Sequence, residues 1–390
     1  MKSELDAKIA NLNIAIVTHI FASGPALDLE VFLQNKAKGL IFIGHPFSFT
    51  KDQSSFYRTY SQGSLLKNHK ALPFRIPSIL LYFKELILTF VWILNYRKKI
   101  DIYIGNDGYS TYIGLLLKKI GRVNEVILYT IDYVPNRFSN PILNYLYHYF
   151  DKQCLKECKI IWNVSPAMVK AREDVKGLKK ENYAPQITVP LGVWYDRIPR
   201  LELSKKRSDS LIYMGHLIEK QGVDLVIGAL PYILKDIPSI TLTIVGTGSY
   251  ENKLKTLVKK KKLEKYVEFK GYVESHQEVE RILSESTVGL AMYKPIPENY
   301  TYFADPGKLK NYLAAGLPVI LTDVPPIALD LKKSKCALIS SYDPEILAKN
   351  VVKLLKDKKI LEQYHQNAMI YAKSYDWNDI FEKALSLSLK

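Results

Sequence analysis

Cysteine is scarce in this sequence. Cys154, Cys158 and Cys336 are the three cysteines among 390 residues. Cys154 and Cys158 lie one helical turn apart, but no second cysteine pair and no histidine cluster stands near them to complete a zinc-binding set. We interpret all three as reduced cysteines of a cytosolic protein.

A long, uninterrupted apolar run is missing as well. Residues 1–10 are charged and lack the apolar core of a signal peptide. The most hydrophobic stretch, residues 79–96, contains Lys84 and Glu85, whereas a membrane-spanning helix needs about 20 mostly apolar residues. We predict a buried helix or one that lies on a membrane surface. The basic residues 97–99 follow at once, as on a helix against anionic lipid, although core packing explains the same pattern.

Acidic residues are too few to balance the basic ones. Lys and Arg number 55 against 39 Asp and Glu, and the formal net charge is +16. Such a charge favours an anionic partner: a nucleic acid, an anionic membrane or a phosphorylated small molecule. A solvated lysine surface is the alternative. No aromatic-basic motif of a nucleic-acid-binding domain is present, so we do not predict nucleic acid as a partner.

Short apolar runs alternate with helical patterns along both halves of the chain. This alternation predicts an α/β protein with two doubly wound domains, rather than a single eight-fold barrel. The composition turns charged and polar over residues 189–210. We place the boundary near residues 199–208, which gives domains 1–200 and 201–374. The predicted strands are residues 14–17, 40–43, 102–104, 126–129, 160–164, 211–214, 242–245, 267–269, 288–291, 319–321 and 337–339.

The first glycine-containing loop of the second half follows strand 211–214. Ligands of open parallel sheets bind beyond the carboxyl ends of the strands. Gly215 leads into a helix that begins near Gly222, and the free backbone N–H groups of such a helix suit a phosphate. His216 and Lys220 add side-chain donors. Simple turn geometry is the alternative explanation of the glycines.

Two further loops follow the next strands. Gly246 permits close approach of a ligand to the backbone, and Tyr272 is placed to pack against a nucleotide base. A tight turn at Gly246 and an ordinary core position for Tyr272 explain the sequence equally well.

The fourth loop leads into a helix with polar residues at its start. Asp305 precedes Pro306, as an N-cap precedes proline at the first helical position. Lys308 and Asn311 lie three residues apart and share a face near the N-terminus. This helix start suits a pyrophosphate and a ribose. The alternative is that Asp305 only caps the helix and Lys308 is solvated.

The first half offers fewer candidates. Gly24 would let the backbone approach a phosphate, and Asp107 and Asp132 follow two strands at the same edge, where a carboxylate would orient an acceptor hydroxyl. Helix capping is the alternative for Asp107. Arg137 is a candidate for meeting an anionic acceptor, or is simply exposed to solvent.

These segments, in this order, resemble the retaining glycosyltransferases of family 4 over nearly the whole chain. The resemblance rests on WNVSPAMVKAR, VPLGVWYD, YMGHLIEKQGVD, LTIVGTGSYENKL, VEFKGYV, KLKNYLAAGLPVILTD and AKSYDWNDIFEKAL. It implies the GT-B fold: two Rossmann-like domains that face each other across a cleft, with the C-terminal helix, residues 375–390, crossing back to the first domain. It also implies that the second domain holds a nucleoside diphosphate sugar and the first domain an acceptor.

The sequence departs from that family at four positions. His216 and Gln221 stand where the family often has arginine and lysine, with Lys220 adjacent to the second place. Phe303 and Asn311 stand where it tends to have two glutamates. Asn311 still accepts from and donates to ribose hydroxyls, whereas Phe303 binds no sugar hydroxyl through its side chain. We therefore count Gln221 and Asn311 among the donor-binding residues.

The predicted function is that of a hexosyltransferase-type enzyme in cell-surface or lipid-linked glycan synthesis. The chain contains no Asp-x-Asp motif, so we expect neither a metal nor another cofactor. Lys308, Lys220, His216 and helix N-termini would stabilise the leaving diphosphate. In a retaining reaction that diphosphate takes the acceptor proton itself, whereas in an inverting one Asp132 is the general base. The predicted location is cytoplasmic, or peripheral at the inner face of the cell membrane.

Two other functions fit the sequence. One is a non-catalytic nucleotide- or glycan-binding protein of the same fold. The other is a different enzyme of this fold, such as a nucleotide-sugar epimerase or a phosphorylase.

Overall fold

The chain forms two compact units. The structure is a computed structural model that describes residues 2–20, 24–47, 50, 52–73 and 78–390. The first unit consists of residues 1–190 and 378–390, and the second unit of residues 191–377.

The first unit is built on an eight-stranded sheet in the order β4-β3-β2-β1-β5-β6-β7-β8. β3 pairs antiparallel with both β2 and β4, and all other pairs are parallel. The strands are β1 Asn13–Ile20, β2 Gly39–Pro46, β3 Phe56–Ser61, β4 Ser64–Lys70, β5 Ile100–Gly105, β6 Val123–Thr130, β7 Ile160–Asn163 and β8 Gln186–Thr188. The helices are α1 Lys2–Ile9, α2 Pro25–Gln34, α3 Ser78–Asn95, α4 Gly108–Lys119, α5 Pro141–Glu157 and α6 Pro166–Lys176.

The five strands predicted for the first half are confirmed. They form because their residues are mostly apolar, which suits a parallel strand covered on both faces. In β2, for example, every residue is buried. The hairpin of β3 and β4 and the short strand β8 were not predicted. In β4 all residues are exposed, so its sequence carries no core-facing period.

The helices α3, α4 and α5 pack into one core with the sheet. Trp92 of α3, Leu115 of α4 and Leu155 of α5 are buried in the same cluster as Tyr103 of β5. The predicted helix over residues 79–96 is therefore present as α3. No helix within the described ranges is long and apolar enough to cross a membrane.

The second unit contains a six-stranded, fully parallel sheet in the order β11-β10-β9-β12-β13-β14. The strands are β9 Ser210–Met214, β10 Thr241–Val245, β11 Val267–Gly271, β12 Val288–Ala291, β13 Val319–Leu321 and β14 Ala337–Ile339, all of which were predicted. The helices are α7 Val223–Ile233, α8 Glu251–Lys260, α9 His276–Glu285, α10 Gly307–Ala314, α11 Ala328–Lys333, α12 Pro344–Lys356 and α13 Lys358–Lys373, followed by α14 Trp377–Ser388.

The second unit begins earlier than the predicted boundary at residue 200. Val193 and Ile198 are buried in its core together with Leu309 and Ala372. Lys206, in the polar segment that suggested the boundary, is also buried, and its ammonium donates to the carbonyls of Ser284 and Ala315 over 2.7 and 2.9 Å.

The end of the chain packs on the first unit. Within that unit the indole of Trp162 in β7 donates to the Ser388 hydroxyl over 3.0 Å. The rings of Phe32 in α2 and Phe381 in α14 lie 5.5 Å apart. The helix α14 thus completes a core whose other elements lie far earlier in the sequence.

Candidate functional site

The second sheet changes its winding direction between β9 and β12. β10 and β11 lie on one side of β9, and β12, β13 and β14 follow on the other. Ligands of open parallel sheets bind beyond the carboxyl ends of the strands at such a switch point. Tyr213 of β9, Tyr293 just after β12 and Lys308 of α10 meet there. The Lys308 Nζ lies 4.4 Å from the ring centroid of Tyr213 and 5.3 Å from that of Tyr293.

Lys308 is held by neutral groups. Its ammonium donates to Oε1 of Gln221 over 2.6 Å and to the Tyr213 hydroxyl over 3.3 Å. No carboxylate of the residues that the structure describes forms an ion pair with it. Burial lowers the pKa of Lys308 to about 7. A cation held by neutral groups and withdrawn from water favours an anionic ligand, which would restore its charge compensation.

Backbone hydrogen bonds join the loops that follow β9, β10 and β11. The N–H of Gly215 donates to Val245 over 2.9 Å, and that of Gly246 donates to Gly271 over 2.7 Å. A Cβ on Gly246 would lie 2.1 Å from the Gly215 carbonyl oxygen. These two N–H groups are thus not free for a phosphate, and the glycines are required because the loops touch through their backbones. The loop contact accounts for glycine at position 246, as the alternative of a tight turn has it, and approach of a ligand to this backbone stays a prediction.

The other predicted residues of the first loop diverge. His216 is exposed, and its carbonyl accepts the Tyr213 hydroxyl over 3.0 Å. The Lys220 ammonium donates to the carbonyl of Glu298 over 2.6 Å. Gln221, which was predicted from its place where the resembling family often has lysine, is buried and contacts Lys308 directly. The structure therefore brings Gln221 and Lys308 together and ties Lys220 to a different loop.

Asp305 does not cap α10, contrary to the prediction. The N-cap position is Pro306, and no side chain caps this helix. Asp305 is buried, pairs with the buried Lys310 and accepts the backbone N–H of Leu191 over 2.8 Å. Both carboxylate oxygens are therefore engaged, and Asp305 fastens the start of the second unit to α10, while its contact with a donor stays a prediction.

The hydrogen bonds of Lys308 to the described residues involve neither Asn311 nor Tyr272. The Asn311 amide donates to the Gly307 carbonyl one turn earlier, over 3.2 Å, and the side chain is half-buried. Tyr272 is 61% exposed, which contradicts its alternative core position. Contact of either residue with a nucleotide stays a prediction.

The first sheet also has a switch point, between β1 and β5. His19 near the end of β1 contacts two carboxylates: its Nδ1 lies 2.9 Å from Asp107 and its Nε2 lies 3.0 Å from Glu85 of α3. Burial alone would lower the pKa of His19, but Asp107 and Glu85 raise it to about 10. The imidazolium in turn holds the pKa of Asp107 at about 2 against the effect of burial.

Asp107 has a second role, which is the predicted alternative. Its carboxylate caps α4 by accepting the N–H of Ser110 over 2.8 Å. Beside it, Asn106 is buried, and neither atom of its side-chain amide has a hydrogen-bond partner among the residues that the structure describes. An unsatisfied buried amide is costly, so it marks a place where a ligand or water would add partners.

The remaining first-half candidates are less informative. Asp132 and Arg137 form an ion pair. Burial lowers the pKa of Arg137, but the Asp132 carboxylate raises it by more, so the pKa lies above its ordinary value. The Asp132 carboxylate is thus not a free base in this structure. Gly24 precedes α2 in extended backbone, and a Cβ added there would meet no atom within 4 Å, so this position does not require glycine. Residues 21–23 of the same predicted loop lie outside the described residues.

Sequence reasoning missed His19, Glu85, Asn106's role, Tyr213 and Tyr293. Tyr213 and Tyr293 stand at the carboxyl ends of neighbouring strands. Knowledge of the strand order would therefore have been enough to predict that they lie close together. In the sequence alone, Glu85 only interrupts an apolar helix. Within the described ranges, no three His, Cys, Asp or Glu side chains form a group that could hold a metal ion.

Part of the chain matches a known family. Residues 195–370 match the family of glycosyl transferases group 1. A curated relative is the UDP-N-acetylglucosamine–peptide N-acetylglucosaminyltransferase GtfA subunit of Streptococcus agalactiae, which is 26% identical over 138 residues. That match covers 35% of this chain and 25% of the relative, so the chain spans about a quarter of the relative's length.

Solved structures are similar over nearly the whole chain. Sucrose-phosphate synthase from Thermosynechococcus elongatus has a TM-score of 0.70 at 14% identity, covering 96% of this chain and 98% of its own. Anabaena HepE in complex with UDP has a TM-score of 0.67 at 14% identity, and the match covers 97% of this chain and 100% of HepE. WaaG, a glycosyltransferase involved in lipopolysaccharide biosynthesis, has a TM-score of 0.65 at 15% identity, and the match covers 96% of this chain and 99% of WaaG. The chain therefore has the two-domain GT-B fold, and its residues 195–370 are similar to the glycosyl transferases group 1 family.

Proposed function

We propose that this protein is a glycosyltransferase, similar to those of family 4, that moves a hexose from a nucleoside diphosphate sugar to a hydroxyl acceptor without a metal ion. The observation that carries the proposal is Lys308. Its ammonium stands at the switch point of the second sheet and has only neutral hydrogen-bond partners among the described residues. A diphosphate is the anion that the matched domain family and this position favour.

The chemistry asked of Lys308 is charge stabilisation. As the glycosidic bond of the donor breaks, negative charge develops on the leaving diphosphate, and a fixed cation nearby lowers the barrier. Because burial lowers the pKa of Lys308 to about 7, the diphosphate would also draw the lysine into its charged form. We propose a retaining outcome, in which the acceptor proton passes to the leaving phosphate and no protein nucleophile is used.

The proposed acceptor group is a hydroxyl of a glycan or of a lipid-linked glycan. Asn106 supports this choice because its buried amide offers both a donor and an acceptor that nothing in the described chain uses. We expect Asn106→Leu to raise the acceptor KM about tenfold, since one hydrogen bond to a hydroxyl is lost. Donor binding should not change. An unchanged acceptor KM would remove Asn106 from the acceptor site.

The direct test is a donor screen of the full chain. UDP-glucose and UDP-N-acetylglucosamine come first, because similar structures carry UDP, UDP-glucose or GlcNAc; GDP- and ADP-sugars follow. Site-specific binding raises the melting temperature by mass action, and turnover releases the nucleoside diphosphate. A product whose anomeric configuration equals that of the donor supports retention, and the opposite configuration returns Asp132 to consideration as a base.

The screen also separates the alternative functions. Binding without turnover in the presence of many glycan acceptors would favour a non-catalytic nucleotide-binding protein, which the neutral Gln221 and Asn311 keep open. Conversion of the donor without any acceptor would favour an epimerase-type enzyme. No thermal shift with any nucleotide sugar would contradict the proposed function.

A further inference from the structure

The outer face of α3 is apolar along its length. All exposed side chains within residues 80–95 are large and hydrophobic, except that of Asn95. They are Leu80 (52% exposed), Phe83 (61%), Ile87 (56%), Val91 (43%) and Leu94 (45%). Their spacing of three or four residues places them on one stripe of the helix. A surface helix of a globular domain normally presents polar residues there, so this stripe is unusual and needs a partner.

The inner face of the same helix is already occupied. Trp92 and Ile93 are buried in the core of the first unit, and Glu85 contacts His19. The outer stripe therefore cannot be exchanged with the core by a rotation of the helix, which would expose a buried carboxylate and two core side chains. Its exposure is built into the fold.

Half-buried aromatic rings join α3 to α4 and α5, and α5 also exposes large apolar side chains. A chain of ring contacts runs from Tyr82 of α3 to Tyr109 of α4 at 5.2 Å, and from Tyr109 to Phe150 of α5 at 5.4 Å. On α5, Tyr145 is 68% exposed and Ile142 69% exposed. Tyrosines combine an apolar ring with a polar hydroxyl, which suits the boundary between lipid chains and water.

Basic residues stand at one end of this helical layer. Arg97, Lys98 and Lys99 directly follow α3 and are exposed, and Lys152 and Lys156 are exposed on α5. The only acidic residue between Leu80 and Lys99 is the buried Glu85. The surface thus pairs an apolar face with positive charge, which complements the anionic headgroups and acyl chains of a membrane better than it does a second copy of this strongly basic chain.

We propose that the outer faces of α3 and α5 dock the first unit on an anionic membrane surface. The helices lie in the plane of the interface, with the α3 stripe inserted among the acyl chains and residues 97–99 at the headgroups. This docking rests on the geometry of the first unit alone, although it would also bring a membrane-bound acceptor to the unit that carries Asn106.

Vesicle co-sedimentation of the full chain tests the docking. The vesicles are made of phosphatidylcholine, alone or mixed with phosphatidylglycerol. We expect sedimentation with the mixed vesicles, and at least about tenfold weaker binding of the double variant Phe83→Ser/Ile87→Ser. Lys98→Gln/Lys99→Gln should weaken binding less, and the effect should shrink in high salt.

Two matched variants in the second unit serve as controls. Leu329→Ser/Ile370→Ser removes side chains that are 59% and 71% exposed outside the proposed surface. Lys260→Gln/Lys261→Gln removes two charges from a lysine run on the same protein. Both controls should bind vesicles as the wild type does, and all variants should keep the wild-type melting temperature because the replaced side chains are exposed.

Three outcomes would overturn the proposal. They are the absence of sedimentation with either vesicle, equal binding by the Phe83→Ser/Ile87→Ser variant, and self-association that this variant abolishes while vesicles remain unbound. The last result would make the stripe an interface between copies of the chain. The thermal shift with nucleotide sugars, measured on the same samples, reports separately on the proposed enzymatic function.

Discussion

The two sheets place their polar clusters at equivalent points, yet the clusters balance charge in opposite ways. In the first unit, His19 lies between Asp107 and Glu85, so the cation has two carboxylate partners. In the second unit, Lys308 has only Gln221 and Tyr213 as hydrogen-bond partners among the described residues. The charge of the first cluster is compensated within the protein, whereas the second cluster gains charge compensation from an anion.

This difference separates what the fold decides from what the side chains decide. A doubly wound sheet fixes where strand ends meet, whatever the sequence. The charge balance of each cluster then decides which ligand it favours. A cation that already has carboxylate partners needs no further anion, whereas a partly buried cation without such partners is stabilised by one. This contrast can be tested with variants and pH changes that act on one unit and spare the other. They are described in order of decreasing expected effect.

Removing the uncompensated cation should have the largest consequence. We expect Lys308→Ala to lower the rate of nucleoside diphosphate release from the donor by about 100-fold or more, because a fixed charge that stabilises the leaving group is lost. The melting temperature should not fall, since Lys308 is half-buried and has no ion-pair partner among the described residues to lose. Lys332→Ala, at an exposed lysine of the same unit, is the control, and a near-normal rate in Lys308→Ala would remove this lysine from the mechanism.

Removing the compensated cation should act on stability instead. His19→Gln leaves Asp107 and Glu85 facing each other, and we expect a loss of about 3 kcal/mol in the free energy of unfolding of the first unit. Hydrogen exchange of β1 and β5 amides under urea measures it, with His69→Gln at an exposed histidine as the control.

The same histidine sets a pH dependence. Because its folded-state pKa of about 10 lies above the ordinary value of 6.5, its stabilising effect is complete below pH 6.5 and is lost as the pH rises toward 10. The wild-type first unit should therefore lose stability over that window more steeply than His19→Gln. Parallel curves for the two proteins would contradict the charged state of His19.

The second unit's loops depend on backbone contact instead of charge. We expect Gly246→Ala to destabilise this unit by about 2 kcal/mol, because the residue has a φ of 123° and its new Cβ would lie 2.1 Å from a carbonyl oxygen. Gly228→Ala is the matched control. Its Cβ would meet Pro344 at an ordinary 3.8 Å inside α7, so it should stabilise the unit by about 0.5 kcal/mol. Equal midpoints of urea unfolding for the two variants would refute the explanation.

The smallest effect concerns pH and donor affinity. Above a pKa of about 7, Lys308 must take up a proton to bind a diphosphate as a cation, so the affinity should fall about tenfold per pH unit. A nucleotide sugar is the right ligand because each of its two phosphates has one ester bond and shares the anhydride bond, so each keeps a single negative charge over this range. Calorimetry from about pH 6 to about pH 8, over which the total fall is about tenfold, measures the trend. Lys308→Arg, which stays charged, should flatten it, and a pH-independent wild type would argue against the depressed pKa.

Local sequence patterns predicted the strands well and the charged clusters poorly. Buried parallel strands are apolar on both faces, so each is recognisable within a few residues. The pair of His19 and Asp107 joins residues 88 positions apart, and Glu85 reaches the same histidine from 66 positions away. Such pairs depend on strand order and side-chain direction, which single-residue patterns do not encode.

Asp305 shows the same limit in the second unit. Its position before Pro306 fits a helix cap, yet the buried Lys310 requires a counter-ion and takes the carboxylate instead. Lys308, two residues before Lys310, lies at the helix start without a carboxylate partner among the described residues, and its contact with a diphosphate stays a prediction. Neither the spacing nor the composition distinguishes these two lysines; only the packing of α10 does.

The hydrogen bond between Trp162 and Ser388 has a consequence for how the protein is made. Its partners are 226 positions apart, and the second unit lies between them in the sequence. As the ribosome elongates the chain, the second unit is fully synthesised before the last helix of the first one exists. While the second unit is being made, part of the core of the first unit is uncovered, and this core can be completed only after α14 has been synthesised.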